Sequence, residues 1–213
     1  MSNISFTIAT VCYNAAETIE RTLHSVGAQD YPFVEHLIID GASKDATLNH
    51  LHLWEKQQEA MPTSHKLVVV SESDKGLYDA MNKALRLATG DYVLFLNAGD
   101  CFHSPTTLSD IVRSIQSAQY PDSQLPAVLY GDTDLVDDAG RFLRHRRLSP
   151  PEQLRWQDFR QGMLVCHQAF FVRTDLGREI NYDLSYRFSA DYDWCLRIMQ
   201  RAEALALPLH NTH

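Results

Sequence analysis

Cysteine is sparse and scattered: the 213 residues hold four, Cys12, Cys101, Cys166 and Cys195, with no CxxC or CxxH spacing. Zinc clusters and redox dithiols need closely spaced ligands, so neither is expected. Three of the four lie in apolar runs, where a buried thiol behaves as a small hydrophobe. A reducing cytoplasm suits this usage best, and the even count leaves disulfides open. Long apolar runs are missing too; none approaches the roughly 18–20 residues that cross a bilayer. The start, Met1-Ser2-Asn3-Ile4-Ser5-Phe6, lacks the basic and apolar segments of a signal peptide. Basic charge is in the minority, with 19 Lys and Arg against 27 Asp and Glu and a net charge of −8, so no nucleic-acid partner is expected. No GxGxxG follows the first apolar run, which excludes a dinucleotide-dependent dehydrogenase. What remains is 45% hydrophobic and 22% charged, enough for one large packed domain and unlike a disordered, collagen-like or disulfide-stapled chain. There is no internal repeat.

The first half alternates strand and helix patterns. Ser5–Tyr13 reads as a buried strand, and Val34–Asp40, Lys66–Ser71 and Asp91–Asn97 as the second, third and fourth strands. Between them, Ala15–Gly27, about Asp45–Gln58 and Leu77–Leu87 carry apolar residues at helical spacing, with Gly90 as a C′ stop for the third, and Leu108–Ile115 is the core-facing part of a fourth helix. Such alternation builds right-handed βαβ units, whose ligands bind at the carboxyl ends of the strands. Those ends here are Tyr13-Asn14, Asp40-Gly41, Glu72-Ser73-Asp74 and Asn97-Ala98-Gly99-Asp100, three of the four acidic, which favours a polar-ligand or metal site. Later, Val128–Val136 enters a hairpin turn at Asp137-Asp138-Ala139-Gly140, Met163–Arg173 reads as a buried strand, and Ser189–Ala202 as a last helix.

Six segments, in order, resemble family 2 glycosyltransferases: Thr10-Val11-Cys12-Tyr13-Asn14; Ile38-Ile39-Asp40-Gly41-Ala42-Ser43-Lys44-Asp45-Ala46-Thr47; Ser73 through Lys83; Phe95-Leu96-Asn97-Ala98-Gly99-Asp100; Cys166-His167-Gln168-Ala169; and Ala190-Asp191-Tyr192-Asp193. The combination is most similar to the bacterial branch that builds capsular, colanic-acid-type or lipopolysaccharide glycans. The resemblance implies an α/β GT-A fold, with a Rossmann-like, mainly parallel central sheet flanked by helices and a small antiparallel extension. It implies one catalytic domain over residues 1–213, with about 1–100 binding the nucleotide-sugar donor and about 101–213 a glycan or lipid-linked acceptor. It further implies Mg²⁺ or Mn²⁺ and inversion at the anomeric carbon. The expected location is the cytoplasm, free or peripheral at the inner face of the membrane.

The residue chemistry stands beside that resemblance. The Tyr13 ring either stacks on a nucleobase or is a half-buried core aromatic, and Thr10 on the same strand is a further donor-binding candidate. A carboxylate at Asp40 can accept the imide N–H of uracil or the N1–H of guanine, which points to UDP- or GDP-sugars; the plain alternative is a turn-forming Asp. Asp74 and Lys75 precede the Leu77 helix, whose amides favour a phosphate, and Asn82 either faces the donor or fixes local structure. Asn97 and Gly99 stand where a full DxD motif has acids, leaving Asp100 as the one evident metal carboxylate, or a helix- or turn-capping acid, and Asn97 as a neutral amide toward the ribose of the donor or the metal. His167, in the Met163–Arg173 run, is an acceptor-side candidate or a core histidine. The run Arg144-His145-Arg146-Arg147 suits an anionic lipid-linked acceptor or a solvated face. Family members usually continue further, often with a histidine completing the metal shell, a place His210 or His213 can take. Asp191 lies on one helical stripe with Trp194, Cys195, Ile198, Met199 and Ala202, so it faces a cleft; partial burial is expected to raise its pKa and suit it as the catalytic base, with Asp193 on another side. A nucleotidyltransferase or a non-catalytic nucleotide-sugar-binding module are the alternative functions. The first wants a second metal acid and a Gly-rich basic loop, which Asn14-Ala15-Ala16-Glu17 is not.

Overall fold

A computed structural model describes residues 3–60, 64–118, 120, 125–205 and 207–212. Its elements run β1 (Phe6–Cys12), α1 (Ile19–Gly27), β2 (Val34–Asp40), α2 (Thr47–Ala60), β3 (Lys66–Ser71), α3 (Leu77–Leu87), β4 (Tyr92–Phe95), α4 (Thr107–Ser117), β5 (Val128–Tyr130), β6 (Asp134–Val136), β7 (Phe142–His145), β8 (Phe170–Arg173), α5 (Thr174–Glu179), α6 (Ala190–Ala204) and β9 (Leu209–Asn211). Seven strands form one sheet in the order β3-β2-β1-β4-β8-β5-β9, and β6 and β7 pair as a separate antiparallel hairpin. The pairs among β1 to β4 are parallel, while β8 runs antiparallel between β4 and β5. This is the mainly parallel α/β sheet that the alternation predicts, with the small antiparallel extension that the resemblance implies.

All seven residues of β1 and of β2 are buried, because helices cover both faces of the sheet. On one face Ala9, Val11, Leu37, Ile39 and Phe95 pack against Ala80, Met81, Ala84 and Leu85 of α3 and Trp194, Ile198 and Met199 of α6. On the other, Phe6, Ile8, Tyr92 and Leu94 pack against α4, and Ile38 meets α1 and α2 through Leu23, Leu51 and Trp54. The strand ends therefore meet the loops on one rim with rigid layers on both sides.

Three expectations change. Gly90 is not a helix cap, since Ala88 closes α3; a Cβ on Gly90 would sit 2.6 Å from the Thr7 backbone nitrogen, so close approach of the chain to β1 requires glycine there. The Val128–Val136 stretch divides between β5 in the sheet and β6 in the hairpin. Of Met163–Arg173 only Phe170–Arg173 is strand, and His167–Ala169 is a 3₁₀ turn. The Arg146 guanidinium donates to the carbonyls of Leu148, Met163 and Leu164, supplying the bonds that a neighbouring strand would have made. Arg146 thus turns inward, which removes it from the basic run read as either an acceptor contact or a solvated face; Arg144 and Arg147 stay exposed.

Candidate active site

The ends of β1, β2 and β3 and the start of α3 enclose a cleft of about 600 Å³, lined by Tyr13, Gly41, Lys44, Asp74, Leu77 and Ala80 among others. Tyr13 is 58% exposed, so its ring is available as a stacking surface. Asp74 is half-buried, and its Oδ1 accepts the Gly76 N–H at 2.8 Å, which fixes the carboxylate at the mouth of α3. Lys44, which the sequence pattern did not single out, lines the cleft, whereas Lys75 is exposed and outside the lining.

Three expected donor residues are structural instead. Asp40 has no exposed surface: its carboxylate accepts the Ser43 hydroxyl, the Ser43 N–H at 3.0 Å and the Ser71 hydroxyl at 2.7 Å, with the Cys12 thiol at 3.7 Å. Those bonds hold the 41–43 turn and tie β2 to β3, leaving no oxygen for a base. Burial beside this acid pushes the Cys12 thiol up to about 12, so it stays protonated and donates. Thr10 is fully buried and bonds His36 Nε2 at 3.0 Å. Burial pushes His36 down to about 3, so the pair is neutral and locks β1 to β2. Asn82 brackets Tyr182, donating to its carbonyl at 2.9 Å and accepting its N–H at 2.8 Å. Each side chain satisfies buried polar groups, which is why polar residues are tolerated there.

The 97–100 loop is shaped from α1. The Thr22 hydroxyl donates to the carbonyls of Asn97 and Asp100 and accepts the Gly99 N–H at 2.8 Å. Gln168 donates to Asp100 Oδ2 at 3.1 Å, aiming the carboxylate across the loop. No group of three or more His, Cys, Asp or Glu that can hold a metal exists among the described residues. One carboxylate is nonetheless the donor set of a hard cation that takes its other oxygens from a diphosphate and water, so the residues fit a shared cation and not a closed protein site. His210 does not complete it, because its ring nitrogens bond Ser114 and Tyr120 beside β9; His213 lies outside the described residues.

Asp191 and His167 meet across the rim. His167 Nδ1 is 3.2 Å from Asp191 Oδ2, and Tyr78 donates to Asp191 Oδ1 at 3.2 Å. A carboxylate only accepts, so Nδ1 carries the imidazole proton, and Nε2 then takes the Asn97 amide N–H at 3.2 Å. The His167 hydrogen bond holds the Asp191 carboxyl below its usual range, outweighing burial, which pushes the other way. The expectation of a raised value is therefore overturned: the controlling partner lies 24 positions away, out of reach of any local pattern. Burial and the neighbouring Asp191 push Tyr78 up, keeping its phenol protonated as a donor. Asp193 points elsewhere, into an ion pair with Arg197.

Residues 7–177 match the sequence model described as glycosyl transferase family 2. The chain belongs to that family. This glycosyltransferase is 29% identical over 210 residues to the "PGL/p-HBAD biosynthesis glycosyltransferase" of Mycobacterium bovis, an alignment spanning 96% of this chain and 73% of the relative. It is 28% identical to the "Amylovoran biosynthesis glycosyltransferase" of Erwinia amylovora, spanning 100% of this chain and 71% of that one. Among solved structures, TarS of S. aureus in complex with UDP superposes with a TM-score of 0.70 at 20% identity, over 92% of this chain. The mannosyltransferase of Pyrobaculum calidifontis with GDP-Man and Mn²⁺ gives 0.66 at 19% identity, over 99% of this chain. The glycosyltransferase chain spans 55% of each of those two structures, and the likeness establishes its GT-A fold.

With Asp191 as the expected catalytic base, its hydrogen bond to His167 predicts a pH dependence of turnover. A carboxyl held below its usual range is in its basic form throughout the neutral and mildly acidic range and is lost only as pH falls through that depressed value. Without the His167 N–H, the largest lowering contact is gone and burial is opposed only by the α6 backbone N–H groups and the Tyr78 hydroxyl. His167→Ala is expected to move the acid limb of kcat/KM to higher pH, and the profile of the variant against the parent checks it. An unmoved limb would mean that the His167 contact does not set the ionisation of Asp191.

Proposed function

We propose that this glycosyltransferase moves a sugar from a UDP- or GDP-sugar to a hydroxyl of a glycan or lipid-linked acceptor, with inversion, in the synthesis of a bacterial cell-surface polysaccharide. The observation that carries the proposal is Asp191: one carboxylate, held by Tyr78 and His167, on α6 beside the helix that walls the cleft. In the proposed step the acceptor oxygen forms a bond to the anomeric carbon while the bond to the diphosphate breaks on the opposite face. Asp191 takes the acceptor's proton, and the diphosphate leaves with the electron pair. Tyr13 stacks on the base, the first-turn amides of α3 that Asp74 leaves free face the phosphates, and Asn97 donates to His167 with its buried amide oxygen unpartnered. Asp100 would hold Mg²⁺ or Mn²⁺, which when bound supplies positive charge to the departing diphosphate. The names of the two relatives, and the UDP and the GDP-Man with Mn²⁺ in the two solved structures, support the donor class and the glycan setting.

No helix among the described residues is long and apolar enough to cross a membrane. We place the enzyme in the cytoplasm or peripherally at the inner membrane face. The hairpin side chains Phe142 and Leu143, 57% and 60% exposed beside Arg144 and Arg147, support contact with a lipid-linked acceptor.

The test is donor consumption with a panel of UDP- and GDP-sugars and Mn²⁺, followed by proton NMR of the anomeric centre in the transfer product. Inverted configuration and loss of turnover on chelation, restored by added metal, are expected, with Asp100→Ala reproducing the chelated state. A product of retained configuration sinks the single-displacement mechanism, and full turnover in chelator sinks the metal assignment.

A further inference from the structure

We infer that Asp74, reaching over Gly41, reads the nucleobase of the donor and selects uracil. This rests on the nucleotide-sugar reading of the cleft and names the base it takes. The three observations behind it are independent of one another. First, Asp40, the acid that the strand-end pattern offers for this task, is fully buried with both oxygens bonded to Ser43 and Ser71. Second, Gly41 leaves a gap that another acid fills: a Cβ there would lie 2.6 Å from Asp74 Oδ2 and 3.4 Å from the Tyr13 ring. The carboxylate of β3's loop thus occupies the space above β2's end, beside the one exposed aromatic face of the cleft. Third, the two oxygens of Asp74 are not equivalent. Oδ1 is held by the Gly76 N–H at 2.8 Å, and Oδ2 takes no hydrogen bond from any described residue.

An acceptor fixed beside a stacking ring selects a base by what its ring edge presents. Uracil offers N3–H as a single donor, which one free oxygen satisfies. Guanine offers N1–H and its amino group together, a pair suited to both oxygens of a carboxylate. Cytosine N3 and adenine N1 are acceptors and would place a lone pair against Oδ2. A single free oxygen therefore favours uracil.

The same geometry dictates the test. In Asp74→Asn the Gly76 N–H still needs an acceptor, so the amide oxygen stays at Oδ1 and the NH₂ takes the place of Oδ2. The edge then donates, matching cytosine N3 and clashing with uracil N3–H. Calorimetric titration of the full chain with UDP, CDP and GDP in Mn²⁺ should show the parent preferring UDP over CDP. In Asp74→Asn UDP should weaken about 10–100-fold, and the ratio of the CDP to the UDP dissociation constant should fall by about 10²-fold. Gly41→Ala, whose methyl displaces the Asp74 carboxylate, should weaken UDP without improving CDP, with an unchanged circular dichroism spectrum. An unchanged CDP-to-UDP ratio in Asp74→Asn overturns the assignment, whether or not both nucleotides weaken. A parent that binds GDP more tightly than UDP overturns the choice of uracil. Failure of the parent to bind any nucleoside diphosphate is a different result, since it removes the functional reading of the cleft and this inference with it.

Discussion

Asp191→Asn is expected to lower transfer turnover by about 10²–10⁴-fold while leaving donor affinity and folding nearly unchanged. The amide has the size of the carboxyl, and the surrounding bonds decide its orientation. His167 donates from Nδ1 because Asn97 occupies Nε2, so the amide oxygen of the variant stays toward His167. Its NH₂ then faces Tyr78, whose hydroxyl rotates to accept. No buried group loses its partner, yet the variant cannot take the acceptor's proton. Steady-state rates at saturating donor, alongside donor titration, separate the two effects. Asp193→Asn is the control: its carboxylate pairs with Arg197 within α6, and a partly exposed pair of this kind is worth roughly 0–1 kcal/mol. A large loss in Asp193→Asn with a small one in Asp191→Asn would assign the base to the other acid; no loss in either would place the base elsewhere.

The elements that the sequence makes legible are those whose patterns are local. The strands Val34–Asp40 and Lys66–Ser71 and the helix Leu77–Leu87 appear at the residues their apolar spacing predicts, because burial on a sheet face or helix stripe is written in neighbouring positions. The rim of strand ends is legible for the same reason. What fails is whatever depends on a partner distant in the chain. Met163 to Leu164 looks like strand, but Arg146, 17 positions back, takes the carbonyls. Asp40 looks like the base reader, but Ser71 on the next strand helps saturate it. Asp191 is found at its place on the stripe, yet the sign of its pKa shift is set by His167 in a turn that the pattern reads as strand. Lys44 carries no pattern at all; it enters the cleft only because the 41–43 turn folds back on Asp40. Helix phase thus separates Asp191, which meets Tyr78 and His167, from Asp193, and only the tertiary contacts decide its ionisation.

Trp194→Ala is expected to cost about 3–5 kcal/mol, the largest stability loss of any substitution considered, and the same side chain backs the Tyr78–Asp191 contact through Tyr182. Trp194 has no exposed surface and sits one helical turn beyond Asp191 on the apolar stripe of α6. It stacks on Tyr182 at 4.7 Å between ring centroids, meets Phe95 and Phe170 edge-on at 5.9 and 6.2 Å, and donates its indole N–H to the Ile180 carbonyl at 2.6 Å. Tyr182 in turn stacks on Tyr78 at 5.7 Å, and its backbone is bracketed by Asn82. Truncation to Ala removes the ring from a closely packed layer and leaves a buried carbonyl without its donor, two costs that add in the same direction. For a chain of this length about 1 kcal/mol moves the melting temperature by roughly 2–4 °C, so a drop of roughly 6–20 °C is expected in calorimetry. Trp194→Phe keeps an aromatic face for Tyr182 and loses the N–H, so its drop should be clearly smaller. The catalytic consequence follows from the stack: with Tyr182 unsupported, Tyr78 loses its backing and its hold on Asp191 loosens. Below its lowered melting temperature, Trp194→Ala should therefore still bind donor but transfer more slowly than its folded fraction accounts for. A variant that melts within about 3 °C of the parent, or one whose rate tracks the folded fraction alone, would mean that the aromatic layer carries stability without positioning the base.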